Sequence, residues 1–195
     1  MRNRLVLPLS VSLALALTLA ACGSSAKPGA TPPPSTSATA PSTSGDPNKP
    51  ATNVPSVSAK MICESEAKND IYTEATGVRT ISAFKPTWVD HVYSCNYVYP
   101  SGEVMTLSVK ELSNEAETTA YFDMLAQKLG KTKDQAGIGQ GAFSVKDGSI
   151  VVRKDYKVLL VDVSKLPANF GVPSDTRSNI AINVAVAILG CWTGA

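Results

Sequence analysis

Two rhythms of hydrophobic and polar residues organise the chain from about residue 58 onward, and neither is present before it. Ile62, Ala67, Ile71 and Ala75 fall on one face of a helix predicted over 60–75, with Gly77 to stop it. Residues 79–84 read as a short strand ahead of Lys85-Pro86. Residues 91–99 and 103–110 read as strands flanking Pro100-Ser101-Gly102, a hairpin turn. In the second of these, Met105, Leu107 and Val109 alternate with Thr106, Ser108 and Lys110, the period of a half-buried strand. Asn114 followed by Glu117 is a capping pair for a helix running to Leu129. Tyr121, Met124, Leu125 and Leu129 form its apolar side, and Gly130 ends it. Asp147-Gly148 between 142–145 and 149–153 is a hairpin signal, and 156–164 is a further strand. The last helix, 175–192, is apolar on more than one face through Ile180, Ala181, Val184, Ala185, Ile188 and Leu189. It is too short to cross a bilayer, so it is predicted to lie deep against the sheet. Hairpins dominate this order of helix, three strands, helix, three strands, helix. They predict an α+β fold, a mainly antiparallel sheet of about six strands packed with about three helices.

Upstream the pattern changes character. Arg2 and Arg4 precede an uncharged run from Leu5 to Ala21, which as helix would span about 26 Å at 1.5 Å per residue. That is short for a permanent span of a hydrocarbon core about 30 Å thick. The run closes on Leu19-Ala20-Ala21-Cys22, followed by Gly23-Ser24-Ser25. Small residues suit a signal peptidase, which grips extended backbone. With the cysteine added, the ending resembles the lipobox of bacterial lipoproteins. The resemblance implies cleavage between Ala21 and Cys22, and diacylglycerol thioether-linked to Cys22. Residues 1–21 are therefore expected to be a lipoprotein signal peptide, and two or more acyl chains hold firmly in a membrane where one binds reversibly. From Gly23 to Ser56 there are eight prolines, many Ser and Thr, and no aromatic residue. Such a segment cannot bury enough apolar surface to offset its ordering, so 22–57 is expected to be a disordered tether. A flexible chain of that length spans about 30 Å.

Charge then narrows the class of the domain at 58–195. Fourteen basic and fifteen acidic side chains lie from Ser58 onward, so the formal +2 of the whole chain belongs to leader and tether. A near-neutral domain has no field to steer it to polyanions, and nucleic acid is not an expected partner. At this size about two thirds of the surface is buried without help from a metal or cofactor.

Candidate chemistry is sparse. Beyond Cys22 there are Cys63, Cys95 and Cys191, and in an oxidising compartment one disulfide and one thiol is the natural count. The spacing leaves the pairing open. No C-x-x-C is present, and Cys63, near a helix start, has the best dipole setting for a reactive thiol. His91 is the one histidine, expected in a strand beside Asp90, where neighbours point to opposite faces. No G-x-S-x-G elbow accompanies it. No zinc or calcium ligand set is spaced for binding, and no cofactor motif is found. Gly137-Ile138-Gly139-Gln140-Gly141 precedes a strand rather than opening a helix, so it reads as a tight turn and not a phosphate loop. Trp88, Tyr93, Tyr97 and Tyr99 gather at the first hairpin, either as core beneath a helix or as a ligand or partner surface. Arg153-Lys154-Asp155-Tyr156-Lys157 is a basic turn.

Taken with the helix that starts at a cysteine, four short motifs resemble one family. They are Cys95-Asn96-Tyr97, Leu107-Ser108-Val109, Gly139-Gln140-Gly141-Ala142-Phe143 and Gly190-Cys191-Trp192. The arrangement is similar to a domain of unknown function in actinobacterial cell-surface lipoproteins, with a PsbP-like antiparallel sheet between helices. The resemblance covers about 60–193 and implies an envelope location, a Cys63–Cys95 disulfide in preference to Cys63–Cys191, and no catalytic residues. The expected function is that of a surface lipoprotein on the extracytoplasmic face of the cell membrane. It would be a non-catalytic binding or accessory module for an envelope protein or a small apolar ligand. The alternatives are an envelope hydrolase or thiol enzyme using His91 or a cysteine, and a structural accessory to a membrane complex. Globomycin, which blocks the lipoprotein signal peptidase, should leave a larger precursor on a gel; unchanged mobility would count against processing at Cys22.

Overall fold

The computed structural model describes residues 51–81 and 85–192, so the leader, Ala21, Cys22 and most of the tether lie outside the described residues. Seven strands form one fully antiparallel sheet in the order β1-β2-β3-β7-β6-β5-β4, confirming the α+β class. They are β1 Thr87–Val89, β2 Val92–Val98, β3 Val104–Glu111, β4 Lys131–Asp134, β5 Gly141–Val145, β6 Ile150–Lys154 and β7 Lys157–Asp162. The helices are α1 Val57–Met61, α2 Ser65–Asp70, a π-helix at Ile71–Thr76, α3 Glu115–Leu129 and α4 Arg177–Cys191. A two-residue ribbon, β8 Asn169–Phe170 with β9 Asp175–Thr176, precedes α4.

Local chemistry explains most of these boundaries. Both three-residue hairpin loops, Pro100-Ser101-Gly102 and Lys146-Asp147-Gly148, end on a glycine at positive φ, whose N–H closes the turn onto Tyr99 or Val145. Asn114 caps α3 by accepting from the Glu117 N–H at 2.9 Å, and Glu117 in turn accepts from the Ser113 N–H. Thr176 does the same for α4, through the Asn179 N–H.

The sheet carries two cores. On one face Cys95, Tyr97, Met105, Leu107, Val109, Ile150, Val152, Leu159 and Val161 pack under α1, α2, the π-helix and α4. On the other, Phe143, Val145, Val151 and Val158 pack under α3. Because α4 touches the π-helix and α2 as well as β6 and β7, it needs apolar residues all round. The disulfide is Cys63–Cys95, with the two Cα atoms 6.0 Å apart.

Several expectations are corrected. The helix predicted over 60–75 is broken at Ile62-Cys63-Glu64. There the Ile62 carbonyl accepts from Tyr97 Oη at 2.6 Å, and Glu64 turns to extended backbone. Ile62, Ala67 and Ile71 still face the core, so the periodicity is real although the helix is not continuous. The strand expected at 79–84 is not formed over its described part. Arg79–Ile81 is extended, with a single bond from the Ile81 N–H to the Val98 carbonyl, and 82–84 lie outside the described residues. Strand β4 carries no apolar alternation to predict it: all four of its residues are exposed, and it is held by its ladder with β5 and by Thr132 Oγ1 donating to the Ser144 carbonyl. Met124, assigned to the apolar side of α3, is exposed. Contact with the domain also begins earlier than residue 58: the Ala51 N–H donates to the Leu112 carbonyl, and Ser56 caps α1.

Cross-linking positions separated by 32 residues removes chain entropy from the unfolded state, worth about 3–4 kcal/mol for a loop of this length. Replacing Cys63 and Cys95 together by Ser should lower the urea unfolding free energy by that amount. Reductant should reproduce the loss in the native chain and in Cys191→Ser, and an unmoved midpoint would refute the contribution.

Candidate functional site

The β1–β2 connection is a two-residue turn, Asp90-His91, with φ of +50° and +58°. That left-handed pair matches the twist of the flanking strands. His91 is therefore a turn residue and not the strand residue expected, and the opposite-face argument separating it from Asp90 does not apply. Its ring lies edge-on to Trp88 at 5.5 Å, with Nδ1 buried and without a hydrogen bond among the described residues. Cys191, on the last turn of α4, is buried, with Sγ 3.4 Å from Asp70 Oδ2. The described hydrogen bonds link neither residue to a serine, and no group of three or more metal-ligating side chains forms among the described residues.

The four aromatic candidates separate. Tyr97 and Tyr99 are fully buried, so they belong to the core and offer no surface. Burial pushes the Tyr97 phenol well up, reinforced by Tyr99 beside it, and its proton is held by the Ile62 carbonyl. Burial likewise raises Tyr99. The neighbouring Thr76 hydroxyl offsets part of that rise, but Thr76 Oγ1 donates toward the Ile71 and Val78 carbonyls, and Tyr99 Oη is left without a well-formed bond. Tyr93 is half-buried, its phenol raised by burial and then by Glu64. Trp88 is half-buried and donates from Nε1 to the Asn53 carbonyl, so the segment ahead of α1 already occupies part of its edge.

The basic turn also disperses. Arg153 donates to Thr119 Oγ1 beneath α3, and Lys157 is buried opposite Glu111. Of the three cations, Lys154 alone reaches the rim of a cleft. That cleft, about 440 Å³ and mostly apolar, lies between the Gly137–Gln140 loop and the last turns of α4, with Ile138, Val186, Leu189 and Gly190 in its wall. The volume falls in the range of small-ligand sites.

Gly139 builds it. At φ +58° its backbone lies so close to β6 that a Cβ would come within 2.6 Å of the Arg153 carbonyl oxygen. The Gln140 N–H then donates to that oxygen at 2.8 Å, and Gln140 Oε1 accepts from the Asp155 N–H. The glycine run is thus a tight turn, as its sequence indicated, but the cleft it makes with α4 was not anticipated. No local pattern in the sequence marked it; in the structure Val186 is an exposed large hydrophobic residue on α4.

One short chain of hydrogen bonds joins this cleft to the N-terminal segment. Ala51 bonds Leu112, Leu112 bonds Tyr156, and Asp155 bonds Gln140 in the cleft wall. Gln140, in the cleft wall, therefore lies at the same end of the sheet as Leu112 and the Ala51 segment paired with it. The described residues form an antiparallel sheet with helices on both faces and an apolar cleft between the Gly137–Gln140 loop and α4. No family profile, curated protein or solved structure matches the chain.

A phenol raised by burial keeps its proton in the folded state while the unfolded chain releases it near pH 10, so stability is intact below that pH and falls above it. The slope is about 1.4 kcal/mol per pH unit for each such phenol. Tyr97→Phe should cost about 1 kcal/mol at pH 7, for the lost bond to Ile62. It should also flatten the decline between pH 10 and 11, as read from thermal midpoints. A parallel decline in both proteins would exclude Tyr97 as its source.

Proposed function

We propose that the chain is a lipid-anchored envelope protein whose domain binds a small apolar ligand, without catalysis, in the cleft between the Gly137–Gln140 loop and α4. The carrying observation is the cleft itself: an apolar wall of Ile138, Val186 and Leu189, rimmed by a single cation, Lys154. Burying a methylene group there contributes about 0.8 kcal/mol, so a chain of several carbons would bind with no charged partner. Support for the location comes from Leu19-Ala20-Ala21-Cys22 and the charged, apolar and small-residue zones around it. The motifs resembling the PsbP-like lipoprotein domain agree with it. Cys22, once acylated, would hold the domain beside the bilayer, and the hydrogen bonds Ala51–Leu112, Leu112–Tyr156 and Asp155–Gln140 support a cleft wall at the end of the sheet that the N-terminal segment reaches.

Methyl-labelled full-length chain in detergent micelles, titrated with 1-octanol, tests the reading. Saturable shifts confined to the methyls of Ile138, Val186 and Leu189 are expected. Val186→Asp, at a half-exposed position that should not disturb folding, should weaken them at least tenfold. Unsaturable or scattered shifts, or an unaffected variant, would reject the cleft as the ligand site.

A further inference from the structure

A second cleft, polar where the first is apolar, lies on the outer side of α2 and the π-helix. Ser65, Lys68, Asn69 and Tyr72 recur at helical spacing on the side away from Ala67 and Ile71, which face the core. Such a stripe would ordinarily be a solvated face. Here the chain comes back over it. The π-helix ends at Gly77, whose φ of +61° reverses the backbone. A Cβ at Gly77 would lie 1.8 Å from the Val172 carbonyl oxygen, so no other residue fits without a backbone shift. Arg79 and Thr80 then close the far wall of a cleft of about 260 Å³.

Three observations bear on what this cleft accepts. The Arg79 guanidinium lies over the Tyr72 ring, its carbon 3.9 Å from the ring centre. Stacking engages one face of the guanidinium and leaves its edge donors available, and Arg79 makes no ion pair among the described residues. Thr80, also in the lining, has its Oγ1 buried without a hydrogen-bond partner among the described residues, a state that costs free energy unless something else supplies the bond. Finally, no carboxylate among the described residues lines the cleft, although Glu66, Asp70 and Glu74 lie on the same helical elements; Asp70 is turned to Cys191. Two cations, two hydroxyls, a carboxamide and a phenol make a lining rich in donors.

We infer that this cleft binds a phosphate group, with the Arg79 fork as its principal contact and Thr80 Oγ1 as a buried hydrogen-bond donor. An oxyanion matches the donor-rich lining, and the planar guanidinium meets two oxygens of a phosphate at once. Lys68 adds positive charge at the rim. The volume exceeds a bare ion, leaving room for the first atoms of whatever carries the phosphate.

The test is a titration of the full-length chain in zwitterionic detergent with inorganic phosphate, at constant ionic strength set with chloride, followed by backbone amide shifts. Saturable shifts at residues 65–80 are expected, with Arg79→Gln raising the apparent Kd at least tenfold and Thr80→Val about threefold. Lys128→Gln, on α3, should change nothing. Thermal unfolding separates loss of binding from loss of fold. A parallel titration with phosphatidylcholine vesicles carrying phosphatidic acid identifies the source. Binding of the free ion points to a soluble phosphate and binding of vesicles alone to a lipid headgroup, either supporting the site if Arg79→Gln weakens it. No saturation with either phosphate or vesicles, indifference to Arg79→Gln, or acetate binding as tightly as phosphate overturns the proposal.

Discussion

Two antiparallel meanders, β1-β2-β3 and β4-β5-β6-β7, become one sheet through the ladder that pairs Thr106 with Asp162 and runs to Glu111 with Lys157. Its partners lie some fifty residues apart, so forming it requires closure of a long loop before any contact rewards it. What offsets that cost is the row of side chains the ladder aligns. Leu107 and Val109 are brought beside Leu159 and Val161 on the face that α4 and the first helices cover, and all four are buried. The ladder also ends where the N-terminal described segment meets the sheet: Glu111 is buried and accepts from the Ser56 N–H and hydroxyl. Wherever this pairing is in register, the N-terminal segment has a place to dock.

Helix coverage of the sheet is uneven. One face is roofed from β2 across to β5, whereas α3 covers β5, β6 and β7 on the other. The uncovered side of β2 and β3 carries Ser94, Asn96, Thr106 and Ser108, and the strands there alternate cleanly between polar and apolar. Beneath α3 both faces of β5 and β6 are apolar, as Phe143 and Val151 show beside Ala142 and Val152. The difference between alternating and continuous apolar strands is thus a record of where helices sit.

Both clefts arise where a glycine lets backbone approach backbone. Gly139 lays its loop against β6 and forms the apolar cleft with α4; Gly77 turns Arg79 and Thr80 back across the helical stripe. Their linings differ in chemistry because one faces the apolar outer side of α4 and the other the polar side of α2. Neither draws on His91, Cys191 or the buried tyrosines, which were the conspicuous candidates in the sequence.

Much of the architecture was legible from residues alone. Alternation located β3, Asp147-Gly148 and Pro100-Ser101-Gly102 located two hairpins, and Asn114 with Glu117 located the start of α3, because each signal acts over a few residues. What required the tertiary structure was decided by contacts distant in sequence. Tyr97 takes the Ile62 carbonyl and breaks the first helix. Pairing with β5 makes a strand of the charged segment Lys131–Asp134, which no local pattern marks. Burial strips Tyr97 and Tyr99 of any surface role, and Thr119 and the sheet absorb two of the three cations of the basic turn. Three cysteines likewise admit three pairings, and the choice of Cys63 with Cys95 depends on where α1 ends over β2. Periodicity reports which side of an element is apolar, but not which neighbour arrives to cover it.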